Sequence, residues 1–164
     1  RLADPEQVAK SRQFPFRFYS AYKEIESARW VWPLEQAFEL SMANVPSLPG
    51  RTLIMIDCSG SMRDPLSGRS QRQRWEIASL FGIALAKRAE KAELVCYSDW
   101  SANVDFHTPT LRIMDEIGHV NMNGTMTFQT LTERYSGHDR VIIITDEQAQ
   151  DSQVSLLMPN IHHQ

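Results

Sequence analysis

The chain has 164 residues and a formal net charge of −3, with 42% hydrophobic and 23% charged residues. This composition is ordinary for a globular protein, and the length suits one domain, or one domain with a short appendage. The lack of a basic excess argues against a domain that binds nucleic acid through its overall charge. We find neither an apolar run long enough to cross a membrane nor a secretory signal, so we expect no membrane contact.

Residues 44–50 (NVPSLPG) contain two prolines and a glycine, and they separate two parts of the chain with different hydrophobic patterns. Before this point, apolar side chains recur at helical spacing in residues 15–27, which predicts a helix. A second helix is predicted over residues 33–43, which open with a proline suited to a first helical turn. We therefore divide the chain into a helical lead-in, residues 1–47, and a second part, residues 48–164.

The second part alternates between short apolar runs and amphipathic stretches. This order predicts an α/β sandwich with a mainly parallel central sheet. Near-continuous apolar runs are typical of strands that are buried on both faces. The strands are predicted at residues 51–57, 92–98, 102–106 and 140–146, and the helices at residues 73–90, 109–118 and 125–136.

Both cysteines, Cys58 and Cys96, lie in or beside apolar strand-like runs. We expect them to be small core residues rather than a disulfide or a metal-binding pair. Free thiols favour a reducing compartment, so we expect a cytoplasmic location.

Two of the predicted core strands end in an acidic residue, Asp57 and Asp146. In an open parallel sheet, ligands bind outside the carboxyl ends of the strands. We therefore expect both carboxylates to lie at one crevice. The alternative is that they are ordinary turn or helix-capping acids, which are common in α/β proteins.

The segment that follows the first core strand has the pattern D-x-S-x-S, formed by Asp57, Ser59 and Ser61. A tight turn at Gly60 would direct these three oxygen-bearing side chains towards one point. Oxygen ligands select hard divalent cations such as Mg²⁺, Mn²⁺ or Ca²⁺. The two serines could instead cap a following helix.

This segment, IMIDCSGSM, resembles the metal-ion-dependent adhesion site of von Willebrand factor A domains. Two further ligands of that site correspond here to Thr125, in NGTMTF, and Asp146, in IIITDEQ. The resemblance implies a three-layer, Rossmann-like fold and one bound divalent cation, with Mg²⁺ first and Mn²⁺ or Ca²⁺ as alternatives. It also implies binding of an acidic protein ligand through the metal, and no catalysis. Two acids, Asp99 and Glu147, are candidates to support the ligands from behind or to be turn and surface residues.

A narrower resemblance is to the TROVE (Ro-like) ribonucleoproteins, which carry such a domain after a ring of helical repeats. YSDWS at residues 97–101, together with NGT and TDEQ, is similar to segments of that family. The resemblance implies that the lead-in is the end of a helical-repeat domain, and that the whole protein binds small non-coding RNA. One departure is that only 18 residues follow Asp146, in which LLMPNI (156–161) could begin a further strand.

Two other functions are consistent with these residues. A metal, two carboxylates and several hydroxyls could support hydrolysis or phosphoryl transfer, with Asp57 or Ser59 as nucleophile. The motif has no histidine or lysine to act as a base, which argues against this function. The domain could also be a purely structural scaffold. Four arginines in residues 63–74 belong either to a solvated loop or to a phosphate-binding patch beside the metal loop.

Overall fold

The computed structural model describes residues 3–68, 70–120 and 123–147. Within these ranges, four strands form one mixed sheet in the order β3-β2-β1-β4. The predicted run LLMPNI (156–161) lies outside the described residues.

Strand β1 (Leu48–Asp57) lies in the centre of the sheet, parallel to both of its neighbours. These are β2 (Ala89–Tyr97) and β4 (Arg140–Ile144). The short strand β3 (Ser101–Asn103) pairs with β2 in the antiparallel sense. The last six residues of β1 are all buried, and the four in the middle, residues 53–56, form an uninterrupted apolar run.

Helices cover both faces of the sheet, which confirms the predicted α/β sandwich. Alternate β1 side chains, Ile54 and Ile56, pack with residues of the helices on one face, whereas Leu53 and Met55 belong to a smaller cluster on the other. The helices are α1 (Pro5–Ser11), α2 (Pro15–Lys23), α3 (Val31–Ser41), α4 (Arg74–Arg88), α5 (Thr110–Gly118) and α6 (Thr127–Arg134). None of these helices is long and apolar enough to span a bilayer.

The predicted helices and strands all occur, with ends that differ by a few residues. Helix α1 has no separate counterpart among the predictions. Its sequence does carry a recognisable start, since Asp4 precedes Pro5. The Asp4 carboxylate accepts hydrogen bonds from the Glu6 and Gln7 backbone N–H groups at 2.9 and 3.2 Å, so this residue caps the helix.

The helical lead-in packs directly against α4 through a buried polar contact. The Tyr19 hydroxyl donates a hydrogen bond of 2.7 Å to Glu76, which also accepts one of 2.8 Å from the Gln73 N–H. Lys23 lies 3.4 Å from the same carboxylate. Burial alone would raise the pKa of Glu76, but these three contacts outweigh it and lower the pKa from its ordinary value of 4.5.

Helix α4 lies close to the sheet at Gly82. A Cβ atom placed there would lie 2.5 Å from Ile56 Cδ1 and 2.7 Å from Ile56 Cγ1. Ile56 is fully buried, so its side chain cannot move aside without displacing its neighbours. We expect Gly82→Ala to lower the free energy of unfolding by about 1–3 kcal/mol, measured by urea denaturation.

The matched control for Gly82→Ala is Gly60→Ala, because a Cβ atom at Gly60 would meet nothing within 4 Å. This second variant should be as stable as the wild type or slightly more stable, since alanine restricts the unfolded chain. Equal losses in the two variants would show that packing at Gly82 is not the cause.

The lowered pKa of Glu76 makes this contact dependent on pH. A carboxyl group whose folded-state pKa is below its unfolded value stabilises the protein above the unfolded value, and the effect is lost as the pH falls through the folded value. We expect wild type to be more stable than Glu76→Gln at about pH 7, with a smaller difference at about pH 3. Denaturation curves at both pH values measure this difference. Glu116→Gln, at an exposed position of α5, is the control, and a difference that grows on acidification would contradict the assignment.

Candidate metal site

The candidate site begins where β1 ends, at Asp57. This side chain is fully buried, and its Oδ1 accepts a hydrogen bond of 2.9 Å from the Ser59 backbone N–H. The next residue is tied to the neighbouring strand, because the Cys58 N–H donates to the Tyr97 carbonyl at 2.9 Å. The chain then forms a short 3-10 turn, Gly60–Arg63. The loop is therefore fixed to β1 and β2 before it turns.

The two serine hydroxyls of the loop lie together. Ser59 Oγ and Ser61 Oγ are 3.3 Å apart, with Ser59 buried and Ser61 half-buried. A turn occurs at Gly60, as predicted, although Gly60 does not have a positive φ. The 3-10 turn that brings the hydroxyls together does not need the conformational freedom of glycine at this position.

Thr125 reaches the same edge of the sheet through the end of β2. The Met126 N–H donates to the Ser98 carbonyl at 2.8 Å, and the Ser98 hydroxyl donates to the Gly124 carbonyl at 2.5 Å. These two bonds hold the residues on either side of Thr125, which is 3% exposed. Ser98 itself follows Tyr97, which pairs with Asp57.

Asp146 lies at this edge two residues after the end of β4, and it has an arginine as partner. Arg74 Nη1 donates to Asp146 Oδ2 at 2.8 Å and to the Ser61 carbonyl at 3.4 Å. One guanidinium group therefore links the third loop to the D-x-S-x-S loop. The other carboxylate oxygen, Asp146 Oδ1, is buried and has no hydrogen-bond partner among the described residues.

Thr145 connects the ends of β1 and β4 by a hydrogen bond, although no motif in the sequence points to this residue. Its hydroxyl donates to Asp57 Oδ2 at 2.7 Å and accepts from the Glu147 N–H at 3.1 Å. Asp57 thus receives one hydrogen bond on each carboxylate oxygen. The only signal in the sequence is that Thr145 immediately precedes a strand-end acid.

The two acids that were candidates to support the metal ligands, Asp99 and Glu147, lie at the surface. Asp99 is exposed, and its Oδ1 lies 3.2 Å from the Ser98 hydroxyl oxygen, whose hydrogen is donated to Gly124. Glu147 is also exposed, with a φ of 67°. The described contacts therefore link Asp99 to the Thr125 loop through Ser98, and Glu147 to Asp57 through Thr145.

The donor set is suited to a hard cation, because all of the predicted ligands carry oxygen. Within the described residues, no group of three or more histidine, cysteine or acidic side chains could hold a metal ion. A metal here would depend on hydroxyls in addition to the carboxylates of Asp57 and Asp146. The buried, unpartnered Oδ1 of Asp146 is consistent with such a role, since buried polar atoms normally have partners.

Three of the four arginines near the loop have partners within the protein. Arg63 donates to the Val120 carbonyl at 2.6 Å and stacks on Trp75, and Arg72 donates to Glu24 at 2.6 Å. Arg74 holds Asp146, as described above, and the fourth arginine, Arg69, lies outside the described residues. These guanidinium groups connect loops and helices rather than forming an open phosphate-binding patch.

Cys58 belongs to the D-x-S-x-S loop, and Cys96 lies on the adjacent strand β2. Both are buried and free, as expected from the sequence. The neighbouring Cys58 thiol, together with burial, raises the pKa of Cys96 well above its ordinary value. Thiols in this environment behave as small core residues rather than as reactive groups.

The fold and the loop arrangement together define a Rossmann-like α/β protein. Loops that carry hydroxyl and carboxylate side chains lie at the carboxyl ends of its parallel strands. Neither a protein-family model nor a curated protein sequence matches the chain. A similar solved structure is the crystal structure of the Ro (Rsr) protein of Deinococcus radiodurans, with a TM-score of 0.73 and 20% sequence identity. The match covers 94% of this chain and 35% of that chain, so this chain spans about a third of its neighbour's length. At this identity the similarity establishes a shared fold.

The contact between Thr145 and Asp57 can be tested by removing the hydroxyl. Thr145→Val leaves a buried carboxylate oxygen without its donor, so we expect the free energy of unfolding to fall by about 1–3 kcal/mol. Thr145→Ser keeps the donor and should recover most of the loss. Thr132→Val, at an exposed position of α6, is the control. Equal losses for the valine and serine variants at residue 145 would assign the effect to packing instead.

Proposed function

We propose that this chain is a von Willebrand factor A-type domain that holds one divalent cation and uses it to bind an acidic protein ligand. The proposed ligands are Asp57, Ser59, Ser61, Thr125 and Asp146. Mg²⁺ is the first candidate, with Mn²⁺ or Ca²⁺ as alternatives, because the donors are all oxygen. When bound, the cation would supply a positive charge with an open coordination position for a carboxylate from the partner.

The observation that carries this proposal is the unequal pairing of the two Asp146 carboxylate oxygens. Its Oδ1 is buried without a partner among the described residues, while Oδ2 already has a cationic partner, Arg74. A buried polar oxygen that lacks a donor costs about 1–3 kcal/mol unless something binds it. It belongs to the same edge of the sheet as Asp57 and the two serine hydroxyls. This arrangement supports a cation as the missing partner.

Binding, rather than catalysis, is the proposed role of the site. Nucleophilic catalysis by a serine needs a base within hydrogen-bond reach. The Ser59 hydroxyl instead contacts the Ser61 hydroxyl at 3.3 Å. Both Asp57 oxygens are engaged by donors, which suits a carboxylate that is held in place. These contacts favour a binding module over a hydrolase or phosphoryl-transfer enzyme.

For the whole protein, we propose a Ro-like, cytoplasmic ribonucleoprotein that binds small non-coding RNA. The structural neighbour is called a Ro (Rsr) protein, and this chain covers 35% of that neighbour. On this proposal the RNA is bound mainly by helical repeats outside this chain. The α/β domain described here contributes the metal-dependent contact with a protein partner.

Calorimetric titration of the folded chain with Mg²⁺, Mn²⁺ and Ca²⁺ tests the metal site. We expect saturable binding to one site, and binding at least about tenfold weaker in Asp146→Asn and in Ser61→Ala, which is about 1.4 kcal/mol. These two side chains are preferable to Asp57 because they are half-buried, so their variants should still fold. Circular dichroism checks the fold of each variant.

The control is Asp115→Asn, which removes an exposed carboxylate from α5 without touching the loops. Its affinity for the cation should equal that of the wild type. If the folded wild type bound none of the three cations saturably, the metal proposal would be wrong, and a scaffold role would replace it.

A further inference from the structure

An exposed apolar groove leads from the lead-in helices to the candidate metal site. It consists of two adjacent depressions that share Leu66, Ile77 and Phe81. One depression, of about 450 Å³, extends to Phe14, and the other, of about 270 Å³, extends to Asp146. Both are bordered by α4, which contributes Ile77 and Phe81. We call these two depressions together the α4 groove.

The α4 groove exposes large apolar side chains that a folded protein normally covers. Phe14 is 56% exposed, Phe81 54% and Leu66 47%. Isolated exposed apolar residues are ordinary, but several around one depression mark a binding surface. Leu66, Ile77 and Phe81 line both depressions, and Phe14 and Phe16 line the outer one. This chemistry suits the apolar side chains of a partner.

The charged groups beside the groove are mainly arginines. Arg12 and Arg17 line its outer depression, and within the described residues neither guanidinium group has a hydrogen-bond or ion-pair partner. No acidic side chain lines that depression. At the inner end, Arg74 and Asp146 neutralise one another. The groove therefore combines an apolar floor with two free positive charges, which favours an apolar segment that also carries acidic residues.

We propose that the α4 groove binds an acidic amphipathic segment of a partner protein. The apolar side chains of that segment would cover Phe14, Leu66 and Phe81, and its carboxylates would pair with Arg12 and Arg17. A protein segment fits these features better than single-stranded RNA. Two cations are few for a phosphate backbone, and two of the three side chains that the depressions share, Leu66 and Ile77, offer no flat ring on which a base could stack.

This inference rests on the proposed function in one respect, because the inner end of the groove is the Asp146 loop. The same partner could then contact the groove and the cation together. The groove residues themselves need no metal, so the two proposals can be tested separately. All selections and binding measurements for the groove are therefore made in EDTA, so that no bound divalent cation contributes to peptide binding.

A phage-displayed library of random 12-residue peptides, selected on the immobilised full chain, tests the groove. We expect the enriched peptides to carry net negative charge together with several large apolar residues. Fluorescence anisotropy with synthetic copies should show binding weakened about tenfold by Phe81→Ser, which is about 1.4 kcal/mol, and also by Arg17→Glu. Weaker binding at higher salt concentration is expected from the two arginines.

Two matched controls separate the groove from general surface effects. Tyr135→Ser removes an aromatic side chain of similar exposure, 52%, beyond α6, and Arg112→Glu reverses an exposed charge on α5. Neither should change peptide affinity. Enriched peptides that are neutral or basic, or that bind Phe81→Ser as well as wild type, would overturn the proposal. So would a 12-nucleotide single-stranded RNA that displaces the peptides from the wild type.

Discussion

The site depends on one constraint, the parallel pairing of β1 with a neighbour on each side. Ile56 is in register with Cys96 of β2 and with Ile144 of β4, so the three strands end together. The segments that follow are therefore brought to the same edge of the sheet, whatever their distance in the sequence. Asp57 and Thr145 lie 88 residues apart and still form a hydrogen bond of 2.7 Å. Loss of this register would separate the loops before it disturbed any of their side chains.

Most polar groups at this edge form hydrogen bonds that hold the loops in place, and so are not free to bind a ligand. Asp57 is buried and satisfied on both oxygens, and Ser98 fixes the stretch around Thr125 with two hydrogen bonds. Burying a carboxylate is costly unless donors surround it, so these contacts stabilise the loop. Among the described residues at this edge, the unsatisfied group is instead Asp146 Oδ1, two residues beyond the end of β4. A ligand would thus complete an arrangement that the fold has otherwise built.

The sequence was a good guide to the fold because β1 and β4 are nearly unbroken apolar runs, and α4 has a clear helical period. It was a poorer guide to the contacts within the site. Strand-end acids are visible as such, but the hydroxyl that holds Asp57 and the guanidinium that holds Asp146 depend on register and on the path of a loop. Arg74 could not be distinguished from its neighbouring arginines by residue type, since only the three-dimensional path gives each one a different partner. The turn predicted at Gly60 occurs, but it is a 3-10 turn that does not use the conformational freedom of glycine.

The ion pair between Arg74 and Asp146 has a consequence for how this edge would respond to its surroundings. Because Oδ2 already has a positively charged partner, a cation arriving at Asp146 would share that carboxylate with the guanidinium group or displace it. The cation would then compete with the guanidinium group for the charge of that carboxylate, with a smaller net gain than binding to a bare carboxylate. The chain could fold before it encountered any metal, and the released arginine would become a new positive surface beside the apolar groove. Folding and cation binding would then be separate events, and both would involve the Arg74 side chain.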